Sequence, residues 1–169
     1  MGLVHIYCGD GKGKTTSATG LAVRSAGAGM TVFFARLMKG TYSSELKILE
    51  QIPEFTVISC DRNYGFSFRM SEKDKAEITK CHNRMISEAF SSGCDLIVLD
   101  EFFSAYNYNL INRELAISLI KNKNPDTELV LTGRNPSDEF LELADYISSI
   151  DCIKHPYNLG IKARKGIEY

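Results

Sequence analysis

A glycine-rich stretch near the N-terminus carries the residues most suited to chemistry. Residues 8–16 read CGDGKGKTT, and Gly13-Lys14-Thr15 matches the end of the phosphate-binding pattern G-x-x-x-x-G-K-[ST]. The match is incomplete, because the first glycine of the pattern should stand at position 8, where this chain has Cys8. Glycines allow backbone N–H groups to point at phosphate oxygens, Lys14 adds a positive charge, and the hydroxyl of Thr15 can ligate Mg²⁺.

The alternative is a glycine-rich turn that merely exposes its lysines. Three glycines, two lysines and a Thr-Thr pair within residues 9–16 make this alternative a poor fit. Lys12 places a second cation inside the stretch. We therefore predict a loop that binds a heavily charged polyphosphate.

Two acidic residues follow an apolar run in the segment LIVLDEF. The run Leu96–Leu99 is apolar at every position, as in a central strand of a parallel sheet. Asp100 and Glu101 then fall at the carboxyl end of the strand, where open α/β sheets bind ligands. A Mg²⁺ ion that bridges phosphates needs such a carboxylate. Strands often end in acidic residues, so it is the combination with the glycine-rich loop that predicts a metal site.

Two further motifs leave their roles open. Arg134 follows the apolar run LVLT at the same edge of the predicted sheet, where it is either a phosphate contact or an ordinary surface arginine. Phe66 and Phe68 lie in the segment GFSF. They either fill a local core or line a wide apolar site for a large flat ligand.

Apolar runs alternate with helical patterns along the whole chain. Strands are predicted at Leu3–Cys8, Thr31–Ala35, Phe55–Ser59, Asp95–Leu99, Glu128–Leu131 and Tyr146–Ile150, and helices at Thr15–Ala26, Glu72–Phe90, Asn112–Lys121 and Ser137–Ala144. The alternation predicts an α/β P-loop fold: a mostly parallel sheet of about six strands with helices on both faces. Residues 1–169 are expected to form a single domain.

The composition excludes several classes of protein. With 20 Lys+Arg against 21 Asp+Glu, the chain lacks the basic excess of a general nucleic-acid binder. No apolar run approaches the roughly 20 residues of a membrane helix, and no signal-peptide pattern is present, so a cytoplasmic protein is expected. The five cysteines include no C-x-x-C pair. Neither a disulfide framework nor a metal–thiolate site is therefore expected.

The motifs together resemble one family, the ATP:corrinoid adenosyltransferases of the P-loop type. The resemblance covers nearly the whole chain and rests on the segments GDGKGKTT, AVRSAGAGM, LMKGTYSSELKILE, GFSF, IVLDEF, LTGRNPSDEFLELAD and KHPYNLGIKARKGIEY. It implies a RecA-like P-loop NTPase fold. It also implies transfer of the 5′-deoxyadenosyl group of ATP to Co(I) of a corrinoid, with triphosphate released. Such a reaction needs no general base, and the motifs contain no clear one.

The resemblance also implies roles for individual residues. Gly11, Gly13, Lys14, Thr15 and Thr16 are implied to hold the phosphates, and the expected nucleotide-binding set is completed by Gly9, Asp10, Lys12 and Arg134. Thr15 and Glu101 are the implied Mg²⁺ ligands, with Asp100 in support. Phe66 and Phe68 are the implied aromatic pair beside the lower corrin face, and they join Lys14 and Thr15 as the expected catalytic residues. A homodimer and a reduced flavoprotein as electron donor are the partners that the resemblance implies.

The sequence departs from the family pattern in two respects. Better-known members carry a tryptophan where this chain has Phe68, and this chain contains no Trp. Some members have an N-terminal extension that helps to cover the site, whereas this sequence begins directly at a predicted strand. Closure over the corrinoid is therefore expected either to come from another segment or a partner subunit, or to be looser.

Two alternative functions remain open on the sequence. One is a RecA-like P-loop ATPase or nucleotide kinase, which accounts for the loop but not for the C-terminal motif. The other is a protein that senses ATP or carries a corrinoid without catalysis.

Overall fold

Six parallel strands form the sheet that organises the described residues. The computed structural model describes residues 1–38, 43–60, 62 and 70–168. The strands are β1 (Val4–Cys8), β2 (Val32–Arg36), β3 (Phe55–Ser59), β4 (Leu96–Asp100), β5 (Glu128–Thr132) and β6 (Tyr146–Ser149). Their order across the sheet is β3-β2-β4-β5-β1-β6, and every neighbouring pair is parallel. The predicted α/β fold with a parallel sheet is confirmed.

Helices cover both faces of this sheet, as the sequence predicts. They are α1 (Lys14–Gly27), α2 (Leu46–Leu49), α3 (Glu72–Ser91), α4 (Phe102–Asn107), α5 (Arg113–Lys121) and α6 (Asp138–Leu141), followed by a 3-10 turn at Pro156–Leu159. Helices α1 and α2 pack on one face, and α3 to α6 supply the buried side chains of the other. Strand β4 shows the division, because Leu96 and Val98 face the first cluster while Ile97 and Leu99 face the second.

Local capping explains where two of the helices begin. Ser71 accepts a hydrogen bond from the backbone N–H of Asp74, and the Asp74 carboxylate accepts one from the N–H of Ser71, which is a complete capping box. Asn112 caps α5 through the N–H of Leu115 at 2.9 Å. These caps place the two helix starts within one residue of the predicted positions.

Helix α6 is shorter than predicted. The pattern suggests a helix over Ser137–Ala144, but the helix ends at Leu141. Four residues after the observed end of the helix, the chain must already pair with β1, because Asp145 donates its N–H to Val4 O and accepts the Val4 N–H on its carboxylate. The need to enter β6 therefore overrides the helical pattern. The short helices α2 and α4 were not predicted.

The expectation about disulfides is wrong for one pair of cysteines. Cys60 and Cys81 form a disulfide, with Cα atoms 6.2 Å apart. Cys60 follows β3 directly and Cys81 lies on α3, and both sulfurs lie close to the sulfur of Met85, at 3.6 and 3.7 Å. The pairing depends on how α3 packs beside the end of β3, which the spacing of cysteines along the chain does not reveal.

Among the described residues, no helix is both long enough and apolar enough to cross a membrane.

Candidate active site

The glycine-rich loop connects β1 to α1 and is held against the chain that follows β6. Gly9 and Gly13 have φ angles of 102° and 129°, in the region that favours glycine. The N–H of Gly11 donates to Ile150 O at 2.7 Å. A Cβ atom on Gly11 would lie only 2.6 Å from that same oxygen. The glycines are therefore required both by backbone conformation and by close packing.

Cys8 occupies the position where the phosphate-binding pattern has its first glycine. It is the last residue of β1 and is buried, and its carbonyl accepts the N–H of Ile150 at 2.9 Å. Burial raises the pKa of its thiol, against an opposing effect of Lys14. The shortened loop thus begins at Gly9, directly after a strand residue that is hydrogen-bonded to Ile150, the residue that follows β6.

Lys14 lies across the loop that it follows. Its Nζ donates to Gly9 O at 2.7 Å and to Gly11 O at 2.8 Å. The loop carbonyls hold the ammonium group of a residue that begins α1, and the positive end of a helix also favours anions. This is the arrangement expected of an anion-binding loop.

The loop and the acidic end of β4 are in direct contact. The Thr15 hydroxyl donates to Asp100 Oδ1 at 2.9 Å, and the Thr132 hydroxyl donates to the same oxygen at 2.7 Å. Thr132 also accepts the N–H of Glu101 at 2.9 Å. Asp100 is fully buried, whereas Glu101 lies at the cleft with φ of 59° and accepts a hydrogen bond from the Ser104 hydroxyl at 2.6 Å. The structure therefore brings together the three predicted metal-site residues.

A buried arginine, which the sequence analysis did not single out, borders the same region. Arg36 ends β2, and its Nη1 donates to Glu45 Oε1 at 3.2 Å. Ser43 also donates its hydroxyl to Glu45. The segment LMKGTYSSELKILE served only to mark the family resemblance. The sequence did contain a signal for Arg36, because this residue is an arginine at the carboxyl end of a strand, as Arg134 is.

Two exposed cations of the loop region form ion pairs. Arg134 Nε lies 3.4 Å from a carboxylate oxygen of Asp10. Lys12 Nζ lies 3.1 Å from Glu168 Oε1, which brings the C-terminal segment to the loop. Glu168 accepts further hydrogen bonds from Arg164, and these contacts lower the pKa of Glu168 to about 2. The four side chains of these two ion pairs, Arg134–Asp10 and Lys12–Glu168, all border the cleft described next.

These residues surround one cleft with a volume of about 870 Å³. Its lining residues are Asp10–Thr16, Thr19, Gly20, Arg36, Ser43–Glu45, Glu101, Arg134, His155 and Gly166–Glu168. Gly9 and Asp100 lie behind the lining, where they contact Lys14 and Thr15. The predicted catalytic residues Phe66 and Phe68 lie outside the described residues. Every other predicted site residue is thus at the cleft or directly behind it.

Comparison with known proteins gives the site its context. The family described as ATP:corrinoid adenosyltransferase BtuR/CobO/CobP matches residues 1–169. The chain belongs to this family. A corrinoid adenosyltransferase of Escherichia coli (strain K12) is 31% identical over 171 residues, which cover 99% of this chain and 86% of the relative. Corrinoid adenosyltransferase CobA of Salmonella typhimurium is 31% identical over 176 residues, with the same two coverages of 99% and 86%.

As an ATP:corrinoid adenosyltransferase, the chain is a transferase that moves the adenosyl group of ATP to a corrinoid. The alternative of a P-loop ATPase or nucleotide kinase is not favoured. Among solved structures, a KaiC-like protein of Pyrococcus horikoshii OT3 has a TM-score of 0.53 and 14% identity, covering 88% of this chain and 72% of that one. This likeness agrees with the RecA-like P-loop fold.

Proposed function

We propose that the cleft binds ATP as its Mg²⁺ complex and holds the triphosphate while Co(I) of the corrinoid attacks C5′. The observation that supports this proposal most directly is the contact between Thr15 and Asp100, which joins the glycine-rich loop beside Lys14 to the acidic end of β4. In the reaction, the electron pair of Co(I) forms the Co–C bond. The bond between C5′ and oxygen breaks, and its electron pair leaves with the triphosphate.

The residues at the metal side fit Mg²⁺ by their chemistry. A threonine hydroxyl and carboxylate oxygens are hard oxygen donors, which Mg²⁺ prefers. Thr15 and Glu101 border the cleft, and the buried Asp100 stands behind them in contact with Thr15. We assign Thr15 and Glu101 as ligands and Asp100 as their support. When bound, the ion neutralises part of the charge of the triphosphate.

The protein groups at the loop stabilise the leaving triphosphate. Lys14 borders the cleft that is proposed to hold the triphosphate, and a fixed donor of this kind stabilises the charge that develops on a leaving group. Lys12 and Arg134 border the same cleft and are paired with Glu168 and Asp10. Triphosphate oxygens can replace these carboxylates as partners. The bound geometry brings C5′ toward the corrinoid, so positioning supplies the remaining acceleration.

The corrinoid side of the reaction is proposed from the family. Phe66 and Phe68 would lie beside the lower corrin face and exclude an axial ligand, which makes four-coordinate Co(II) easier to reduce. We further propose that the chain acts as a homodimer in the cytoplasm, that residues 1–169 work as one domain, and that a reduced flavoprotein supplies the electron.

The test is an anaerobic reaction of the purified protein with ATP, Mg²⁺ and chemically reduced cob(I)alamin. The visible spectrum reports formation of the Co–C bond, and a phosphate assay identifies the leaving group. A light-sensitive corrinoid product together with triphosphate is the expected result. ADP and phosphate without alkylation would contradict the proposal. Repeating the reaction with EDTA measures its dependence on Mg²⁺.

A further inference from the structure

Arg36 and Asp100 are partners in neighbouring strands. They are paired in register as the last residues of β2 and β4, so both side chains leave the sheet at the edge that carries the cleft. Arg36 Nε lies 3.9 Å from Asp100 Oδ2, and only 5% of the Arg36 side chain is exposed. This arginine is therefore part of the interior beneath the cleft, although it also borders the cleft.

The guanidinium joins acidic groups from two different elements. Nη1 donates to Glu45, in the segment before α2, while Nε faces the Asp100 carboxylate. A buried guanidinium is unfavourable unless its charge and donors are matched. Its planar fork can meet two carboxylates in fixed directions, which a lysine ammonium cannot do in the same way.

The consequence is that both oxygens of the Asp100 carboxylate have defined neighbours. Oδ1 accepts the hydroxyls of Thr15 and Thr132, and Oδ2 faces the guanidinium of Arg36. A partial rotation of the carboxylate about its χ2 bond would move Oδ1 away from the two hydroxyls and Oδ2 away from the guanidinium. Arg36 opposes that rotation because its positive charge attracts the oxygen that faces it.

We propose that Arg36 is a positioning residue for the metal side of the site. It holds Asp100, and through Asp100 the hydroxyl of Thr15, in the orientation in which ATP is bound with Mg²⁺. This inference rests on the proposed function, since it assumes a Mg²⁺–ATP site at Thr15 and Glu101. Partners of the direct ligands are known to tune metal sites, and their loss typically weakens metal affinity by about 10 to 100-fold.

Binding measurements without turnover test the proposal. Calorimetric titration of ATP into the protein is carried out in EDTA and at a series of Mg²⁺ concentrations. For Arg36→Gln, the Mg²⁺ concentration that gives half of the full enhancement of ATP binding should rise by about tenfold or more. ATP binding in EDTA should stay close to that of the wild type. Arg36→Lys should recover part of the loss, because it restores the charge without the fork.

Arg84→Gln is the matched control, since this arginine lies on α3 with its side chain 57% exposed and pairs only with Glu88 among the described salt bridges. It should leave the Mg²⁺ dependence unchanged. An equal weakening of ATP binding with and without Mg²⁺ in Arg36→Gln would show a merely structural role and overturn the proposal. An unchanged Mg²⁺ dependence would overturn it as well.

A second variant covers the possibility that Arg36→Gln does not fold. Glu45→Gln removes one anchor of the guanidinium at a side chain that is 29% exposed, and it should shift the Mg²⁺ dependence in the same direction by a smaller factor. No shift in a folded Glu45→Gln protein would then overturn the proposal. If the wild type itself shows no Mg²⁺ effect on ATP binding, the proposed metal site fails. A Mg²⁺ effect in the wild type with unaltered variants refutes the role of Arg36 alone.

Discussion

The hydroxyl of Thr15 donates to Oδ1 of Asp100 at 2.9 Å, across 85 positions of sequence. This hydrogen bond joins the glycine-rich loop to the acidic end of β4. Since Thr132 donates to the same oxygen, a change at any of these three residues should disturb both halves of the site.

Removing the ammonium group of the loop should abolish adenosyl transfer. Lys14→Ala takes away the cation held over Gly9 O and Gly11 O, which is the group proposed to supply the main positive charge beside the leaving triphosphate. We expect triphosphate release to fall by about 10²–10³-fold or more, the range found when a transition-state donor is removed. Lys73→Ala on α3 removes a lysine whose side chain is 85% exposed and should retain activity. Wild-type turnover in Lys14→Ala would refute the site assignment.

A methyl group on the loop should displace it. In Gly11→Ala the new Cβ would lie 2.6 Å from Ile150 O, a backbone atom that cannot move independently of β6. The loop must shift, and small misplacements of this kind can cost about 10²-fold in kcat/KM. Gly27→Ala at the end of α1 meets no atom within 4 Å and should stabilise the fold by about 0.5–1 kcal/mol without loss of activity. Equal activity of the two variants would disprove the packing argument.

Thr132→Val should affect stability and ATP binding together. The valine can neither donate to Asp100 nor accept from the N–H of Glu101, so each of these two groups loses one hydrogen-bond partner. We expect the free energy of unfolding to fall by about 1–3 kcal/mol. Chemical denaturation measures the loss, and the KM for ATP should rise as well. Thr127→Val is the control at the opposite end of β5, where the hydroxyl donates to Cys94 O. It should lower stability while the KM stays unchanged.

A buried histidine should make the stability of the protein depend on pH. His82 is fully buried, with Nδ1 donating to Leu110 O and Nε2 accepting the N–H of Met38. Burial lowers the pKa of His82 to about 4 from its ordinary value of 6.5. The unfolded chain therefore binds a proton at a higher pH than the folded one. The contribution of neutral, buried His82 to the free energy of unfolding is complete above pH 6.5. It is lost as the pH falls toward 4, and the whole loss is about 3 kcal/mol.

Denaturant unfolding of the wild type and of His82→Gln between pH 4 and 7 measures this contribution. The difference in unfolding free energy between the two proteins should shrink as the pH falls. A constant difference between wild type and His82→Gln would rule out His82 as the source.

Phe68 gives a prediction on the corrinoid side of the reaction. Phe68→Ala should damage the reaction that starts from Co(II) more than the reaction supplied with preformed Co(I), because the ring is proposed to exclude an axial ligand before reduction. Phe68→Leu, which keeps apolar bulk, should lie between the alanine variant and the wild type. Equal losses in both assays would show that Phe68 serves packing alone.

The sequence predicted those parts of the fold and site that have strong local signals. Apolar runs located all six strands, and the glycine-rich loop and Asp100-Glu101 fell at one edge because parallel strands share a direction. Helices α2 and α4 have only four and six residues, which is too short for a helical period to be visible.

The remaining features depend on which segments become neighbours. The role of Arg36 follows from the placement of β2 beside β4, and this strand order is a property of the whole sheet. The pairing of Cys60 with Cys81 likewise requires α3 to lie beside the end of β3. Thr132 did have a local signal, since it ends a strand one residue before Gly133, but its partners lie on other elements.

The place of β1 in the sheet has a consequence for synthesis on the ribosome. In the part of the chain that the structure describes, β1 pairs with β5 on one side and β6 on the other, and the contact of Leu3 with Glu128 spans 125 positions. At about 5–20 residues per second, roughly 6–25 s pass between translation of these two residues. During this interval the apolar strand that leads into the glycine-rich loop lacks both of its partner strands, whereas β2, β3 and β4 can already assemble. Strand β1 can therefore enter the sheet only after the last two strands have been made.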